Sequence, residues 1–134
     1  MIAVDSSVVI ACFAPWHERH ALAREVLAEK PQLPAHTGLE AYSVLTRLPE
    51  PFRAEPHIVA EFLQATFTAD RLVLGAEEQA ALPGRLAGLG ICGGEVYDAL
   101  IGFTVRAAGA ELVTLDRRAL LTYECCRVPV RLLT

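Results

Sequence analysis

The sequence predicts an α/β fold in which a central parallel sheet carries helices on both faces. Three observations point there. Short apolar runs alternate with segments of helical periodicity, which implies strands joined by helical crossovers rather than by hairpins. Hydrophobic residues make up 53% of 134 residues, enough for a packed core in a chain of this length. No apolar run reaches the roughly 18 residues that a membrane span requires.

The elements follow in order. Ile2-Ala3-Val4 is an apolar run ending at Asp5 and is predicted to be a buried strand. Ser6-Ser7 then caps an apolar helical turn, Val8 to Phe13, which Pro15 stops. His17 to Lys30 contains good helix formers, with Ala21, Leu22, Val26 and Leu27 opposite a charged face. Pro31 to Ala35 is too rich in proline for a helix interior and suits a short strand. A helix is expected from Thr37-Gly38 to Leu48, before Pro49 and Pro51. Ile58, Val59, Phe62, Leu63, Thr66 and Phe67 form one apolar helical stripe. Arg71 to Leu74 is the next strand candidate. It precedes a helix from Ala76 to Leu89 that Pro83-Gly84 should kink or split. Asp98 to Ala108 is apolar almost all round and is expected to be a central, buried helix ended by Gly109. Glu111 to Leu115 is a strand running into Asp116, and Val128 to Leu133 is the last strand. No linker, repeat or low-complexity segment interrupts residues 1–134, which are read as one domain.

The N-terminus meets Asp5 before a signal-like apolar stretch can develop, so the expected location is cytoplasmic. Cys12, Cys92, Cys125 and Cys126 have no zinc-type or secretory spacing and are read as reduced, mostly buried thiols. The 16 acidic and 12 basic residues leave a net charge of −4. Setting aside Asp5, Glu40, Asp98 and Asp116 leaves twelve acids against twelve bases, so these residues match the whole excess. Such a chain does not hold nucleic acid by bulk positive charge; metal ions and local arginines must supply any attraction.

Those carboxylates carry the chemistry. Asp5 and Asp116 each follow a strand, and the strands of a parallel sheet end at the same edge, where ligands bind. If the two strands are neighbours, the two carboxylates meet. Asp98 heads a buried helix, whose dipole favours a negative group, and Glu40 lies in the first turns of another. Two carboxylates ~5 Å apart repel by about 3 kcal/mol at an effective dielectric near 20, so four together require a compensating cation. An all-oxygen donor set suits Mg²⁺ or Mn²⁺, which polarises a phosphoryl oxygen and activates water for phosphodiester hydrolysis.

The stretches Ile2-Ala3-Val4-Asp5-Ser6-Ser7-Val8, Glu40 to Leu48, Tyr97-Asp98-Ala99-Leu100-Ile101 and Leu112 to Ala119 together resemble a PIN-domain ribonuclease, specifically the VapC toxins of bacterial type II toxin–antitoxin pairs. The resemblance spans essentially the whole chain. It implies a three-layer α/β/α sandwich with strand order 3-2-1-4-5, which makes the first and fourth strands neighbours. It also implies a Mg²⁺- or Mn²⁺-dependent endoribonuclease that cuts tRNA or rRNA and inhibits translation. Asp5, Glu40, Asp98 and Asp116 match the family's acidic quartet. Asp5 and Asp98 would be direct metal ligands, with Glu40 and Asp116 binding a second ion or acting through water. Ser6 and Thr114 match hydroxyls that orient the carboxylates. Implied partners are RNA, a second copy of the chain, and a VapB antitoxin placing an Arg among the carboxylates, in a heterotetramer or larger assembly.

Each acid also has an ordinary structural reading: a turn after a strand for Asp5, a helix cap for Asp98 and Asp116, a solvated helix residue for Glu40. Four sequence-distant acids directed to one edge favour the joint reading. Arg117 and Arg118 are candidate phosphate contacts or merely a solvated helix start, and Arg47 is equally open. Glu95 either caps a helix or lines the groove, and is not counted as a ligand. His17 and His20 have metal spacing but no further ligands, and read as surface residues. Asp70-Arg71 reads as a surface turn. Two rivals remain. A receiver or haloacid-dehalogenase phosphoryl-transfer domain needs a late Lys, and the only Lys is Lys30. The dehalogenase type further needs an acid where Ser7 stands. A catalytically inactive PIN-fold binding module is disfavoured by the intact quartet.

Overall fold

The computed structural model describes residues 1–134. Its sheet is parallel and ordered β1-β2-β3, from Ile2–Val4 (β1), Glu111–Thr114 (β2) and Val130–Leu132 (β3). Val4 lies opposite Val113, and Thr114 opposite Leu132. Beyond β1, single bridges join Ala3 to Gln32 and Pro34 to Leu72. The segments expected as the strands Pro31 to Ala35 and Arg71 to Leu74 therefore run alongside the sheet without forming ladders of their own. Pro31 and Pro34 have no N–H to donate, which limits pairing to isolated bonds such as Gln32 N–H to the Ile2 carbonyl and Leu72 N–H to the Leu33 carbonyl.

The helices depart from expectation mainly at their ends. α1 is Ser6–Phe13, and its cap is Asp5, whose carboxylate accepts the backbone N–H groups of Ser7 and Val8. Ser6 and Ser7 therefore stand inside the helix rather than before it. α2 is only His20–Val26, prolonged by a 3-10 turn at Leu27–Glu29. Upstream, the His17 ring accepts the N–H of Arg19 and holds a turn where a helix was expected. α3 is Ala35–Thr46, beginning directly after Pro34, and α4 is Pro56–Thr66. The stripe on α4 is narrower than its sequence suggests: Val59 is buried, but Ile58 is 53% exposed. α5, Ala76–Leu89, is continuous through Pro83 instead of dividing there. α6 is Glu95–Ala107, three residues longer at its start, so Asp98 occupies the first turn and does not cap it. After a 3-10 turn at Arg117–Ala119 comes α7, Leu120–Cys126, a helix not recognised from the sequence.

Side chains alternate across the strands and divide the core in two. Ala3 and Leu112 face a cluster with residues of α5, α6 and α7, including Leu86, Ile101, Phe103 and Tyr123. Ile2, Val4 and Val113 face the other cluster, with Val8, Val9 and Cys12 of α1 and Val26 of α2. α6 is the buried helix its composition predicts, with Ala99 and Ile101 to Val105 inside, and Gly109 follows it at φ 71°. The thiols are all free. Cys12 and Cys126 are buried, but Cys92 and Cys125 are exposed, because they lie on a loop and on the outer side of α7. No helix is long and apolar enough to cross a membrane.

α7 packs closely on α6 at Gly102, where an added Cβ would lie 3.1 Å from both Cβ and Sγ of Cys126. Gly102→Ala is expected to lower stability by about 1–3 kcal/mol through overpacking. Gly84 meets open space on α5, so Gly84→Ala should raise stability by roughly 0.5–1 kcal/mol. Urea midpoints moving in opposite directions check the pair.

Candidate active site

β1 and β2 are neighbours, so the chain turns off the sheet at Asp5 and Asp116 on one edge. The Asp5 N–H still continues the ladder, donating to the Val113 carbonyl at 3.2 Å. Its side chain is only 3% exposed. Oδ1 accepts the Ser7 hydroxyl and the N–H groups of Ser7 and Val8, while Oδ2 accepts the hydroxyls of Thr114 and Tyr123, the latter at 2.8 Å. Burial pushes the Asp5 carboxyl up from its ordinary value, and the hydrogen bonds from Ser7, Thr114, Tyr123 and Val8 pull the other way. The Tyr123 phenol is driven well above its usual range, by burial first and then by the Asp5 charge beside it.

The other acids are tied to the same framework. The Thr114 hydroxyl, besides donating to Asp5, accepts the Asp116 N–H at 3.0 Å. The Ser7 hydroxyl accepts the Leu115 N–H at 2.9 Å. Asp116 accepts the Arg118 N–H at 2.9 Å and so caps the following 3-10 turn. Glu40, from the second turn of α3, accepts the Ser6 hydroxyl and lies 3.6 Å from Nε2 of His36. Asp98 is half-buried and is pushed up to about 6, first by burial and then by the charges of Glu40, Asp5, Asp116 and Glu95. The charges of the other acids thus reach Asp98 and add to the effect of its burial. Glu40 has only His36 as an ion-pair partner, and no Arg or Lys pairs with Asp5, Asp98 or Asp116.

This donor set fits a hard divalent cation of a particular kind. No three His, Cys, Asp or Glu side chains stand close enough together to hold an ion by themselves. An ion that keeps most of its waters and takes one or two carboxylates, as Mg²⁺ does, matches converging acids with no cationic partner. His17 and His20 do not join it: His17 accepts the Arg19 N–H, and the His20 ring is bonded to the Ala11 carbonyl at 2.7 Å.

Several assignments are sharpened. Ser6 orients Glu40 and not Asp5, whereas Thr114 does bond Asp5. Ser7 and Tyr123 were missed. Ser7 carried a signal, because an Asp cap binds the residue two positions on. Tyr123 carried none, since its reach to Asp5 depends on how α7 packs. Arg117 and Arg118 are exposed at the edge beside Asp116, and neither is ion-paired. Arg47 is exposed and held by the Ser43 hydroxyl at 3.2 Å, in the cleft that also contains Glu40. Glu95 is exposed, yet it adds to the charge felt by Asp98.

Residues 2–124 match the family described as PIN domain, the family that the sequence resembles. The chain belongs to the PIN-domain family. It is 48% identical to Ribonuclease VapC40 of Mycobacterium tuberculosis over 134 residues, the full length of both chains. It is 41% identical to Ribonuclease VapC27 of the same organism over 124 residues, 92% of this chain and 90% of the relative. Within the PIN-domain family it therefore belongs with the VapC ribonucleases.

Tyr123→Phe removes one donor from a buried carboxylate and is expected to cost about 1.5 kcal/mol, read from the urea midpoint. Asp98 gives a pH signature. Its proton is held more tightly in the folded chain than its ordinary value of 3.8 allows. The ionised carboxylate therefore weakens the metal-free protein above pH ~6, and that cost disappears as pH falls towards ~4. In EDTA, Asp98→Asn should melt above wild type at pH ~8 and converge with it near pH ~4. A difference that does not vary with pH contradicts this account.

Proposed function

We propose that this protein is a Mg²⁺- or Mn²⁺-dependent endoribonuclease, the toxin of a VapBC pair acting in the cytoplasm as one domain over residues 1–134. Its RNA target is tRNA or rRNA, and cutting it inhibits translation. One observation carries the reading. Half-buried Asp98 feels the negative charges of Glu40, Asp5 and Asp116 from three other segments, with no Arg or Lys paired to any of the four.

Asp5 and Asp98 would hold the ion directly, with Asp5 exchanging one of its hydroxyl donors for it. Glu40 and Asp116 would act through water or on a second ion. When bound, the ion supplies a polarised phosphoryl oxygen and a water of lowered pKa. The protein's part is positioning. Ser7, Thr114 and Tyr123 keep Asp5 in one rotamer, and Ser6 fixes Glu40. Burial and the neighbouring acids push the Asp98 carboxyl up to about 6, a repulsion that a bound cation would relieve. Arg117 and Arg118 are placed to take phosphates beside Asp116. A homodimer, and a VapB-type antitoxin whose Arg neutralises the same acids in a heterotetramer or larger assembly, complete the reading.

Purified protein should cut total RNA with Mg²⁺ or Mn²⁺ and stop when EDTA is added. Asp5→Asn and Asp98→Asn should each lose about 100-fold or more in rate, the scale for losing a group aimed at developing charge. Cleavage by Asp98→Asn at the wild-type rate would sink the proposal.

A further inference from the structure

We infer that the cleft beside Glu40 seats one unpaired base of the RNA strand next to the cleaved phosphodiester, with Tyr97 as its stacking platform and Arg47 as the contact to a neighbouring phosphate. This rests on the ribonuclease reading and adds a base-binding residue to it.

Tyr97 directly precedes Asp98 on α6 and is 53% exposed, a large aromatic side chain outside both core clusters. Its ring is stacked on that of His36, with centroids 5.4 Å apart and planes within 10°. His36 covers one face of the tyrosine and fixes its plane, and Glu40 lies beside His36 at 3.6 Å. The platform is therefore coupled to the acids by both helices: Tyr97 is one residue from Asp98, and His36 one turn from Glu40. The cleft of about 420 Å³ is lined by His36, Leu39, Glu40, Ser43, Arg47 and Tyr97, among others. Leu39 is 68% exposed on its wall, which adds an apolar surface. At the other end Arg47 donates to the Ser43 hydroxyl and pairs with no carboxylate, so its charge is free for a ligand.

The electrostatics of the chain explain the need for such a seat. A strand brought to the four acids meets repulsion, and the net charge of −4 offers no bulk attraction. Stacking of a base on an aromatic face needs no charge, and unpaired RNA bases are recognised in this way. A protein segment would also find Leu39 and Tyr97 acceptable. RNA is favoured because the cleft is lined both by Glu40 and by the Arg47 guanidinium, which pairs with no carboxylate.

The test is steady-state cleavage of total tRNA in Mn²⁺ by wild type, Tyr97→Ala, Tyr97→Leu, Tyr97→Phe and Arg47→Ala, with melting temperatures measured alongside. Tyr97→Ala and Tyr97→Leu should raise KM roughly ten-fold or more with kcat within about two-fold, while Tyr97→Phe stays near wild type. Arg47→Ala should raise KM and reduce the salt dependence by about one phosphate. Tyr97→Leu keeps the bulk and the helix, so a normal melting temperature with a raised KM separates stacking from folding. If wild type cuts and both Tyr97→Ala and Tyr97→Leu keep its KM, the base seat is overturned and the cleft is left to a protein partner. A Tyr97→Phe variant as impaired as Tyr97→Ala overturns it too, because the hydroxyl and not the ring would then matter. Wild type that cuts no RNA overturns the ribonuclease reading and this one with it.

Discussion

A carboxyl group at the end of a buried strand is tolerable only if its polar atoms find partners, and the packing around Asp5 is arranged to do that. Its oxygens accept two backbone N–H groups from the start of α1, the Ser7 hydroxyl, one hydroxyl from β2 and one from α7. The bonds join elements that are far apart in sequence, up to 118 residues for Tyr123. The same side chain caps α1, so the direction in which that helix leaves the sheet is set by the group it protects. Thr114 passes the constraint to Asp116, and Ser7 passes it to the backbone at Leu115. Gly102 belongs to the same chain of causes, since a Cβ there would press on Cys126, three residues from Tyr123 on α7.

Asp98 presents the opposite solution. It has no comparable set of donors, sits half-buried, and feels four neighbouring negative charges, so its carboxyl is pushed up to about 6. Burial pushes both carboxyls up, but hydrogen bonds oppose that push at Asp5 while neighbouring negative charges add to it at Asp98.

The sequence made the sheet edge legible because the strands are short, apolar and end in Asp. The alternation of strands and helices made a parallel sheet legible, whereas the adjacency of β1 and β2 came from the strand order that the family resemblance implies. The proline-rich stretch at Pro31 to Pro34 was legible as extended chain, but its missing N–H groups leave isolated bridges instead of a ladder. α7 was not legible: its seven residues, Leu120–Cys126, are too few to show a period, and tertiary packing against Gly102 supports them. The site divides in the same way. Asp5, Asp98 and Asp116 could be placed from strand ends and a helix start, and Glu40 came from family resemblance. Ser7 was readable in principle from the cap geometry, whereas Tyr123 depends on a contact between distant elements that no local pattern encodes.

The hydroxyl partners also bear on how far the acidic edge is prepared before any ligand arrives. Ser6 holds Glu40, and Ser7, Thr114 and Tyr123 hold Asp5, so two of the four side chains have fixed rotamers. Ordering side chains beforehand removes an entropic cost from binding. The Asp116 carboxylate is held by the Arg118 N–H alone, so the remaining freedom lies chiefly with Asp98, which can move without breaking such a network. The edge is stiff where burial demands it, at Asp5, and adjustable where solvent and ligand enter.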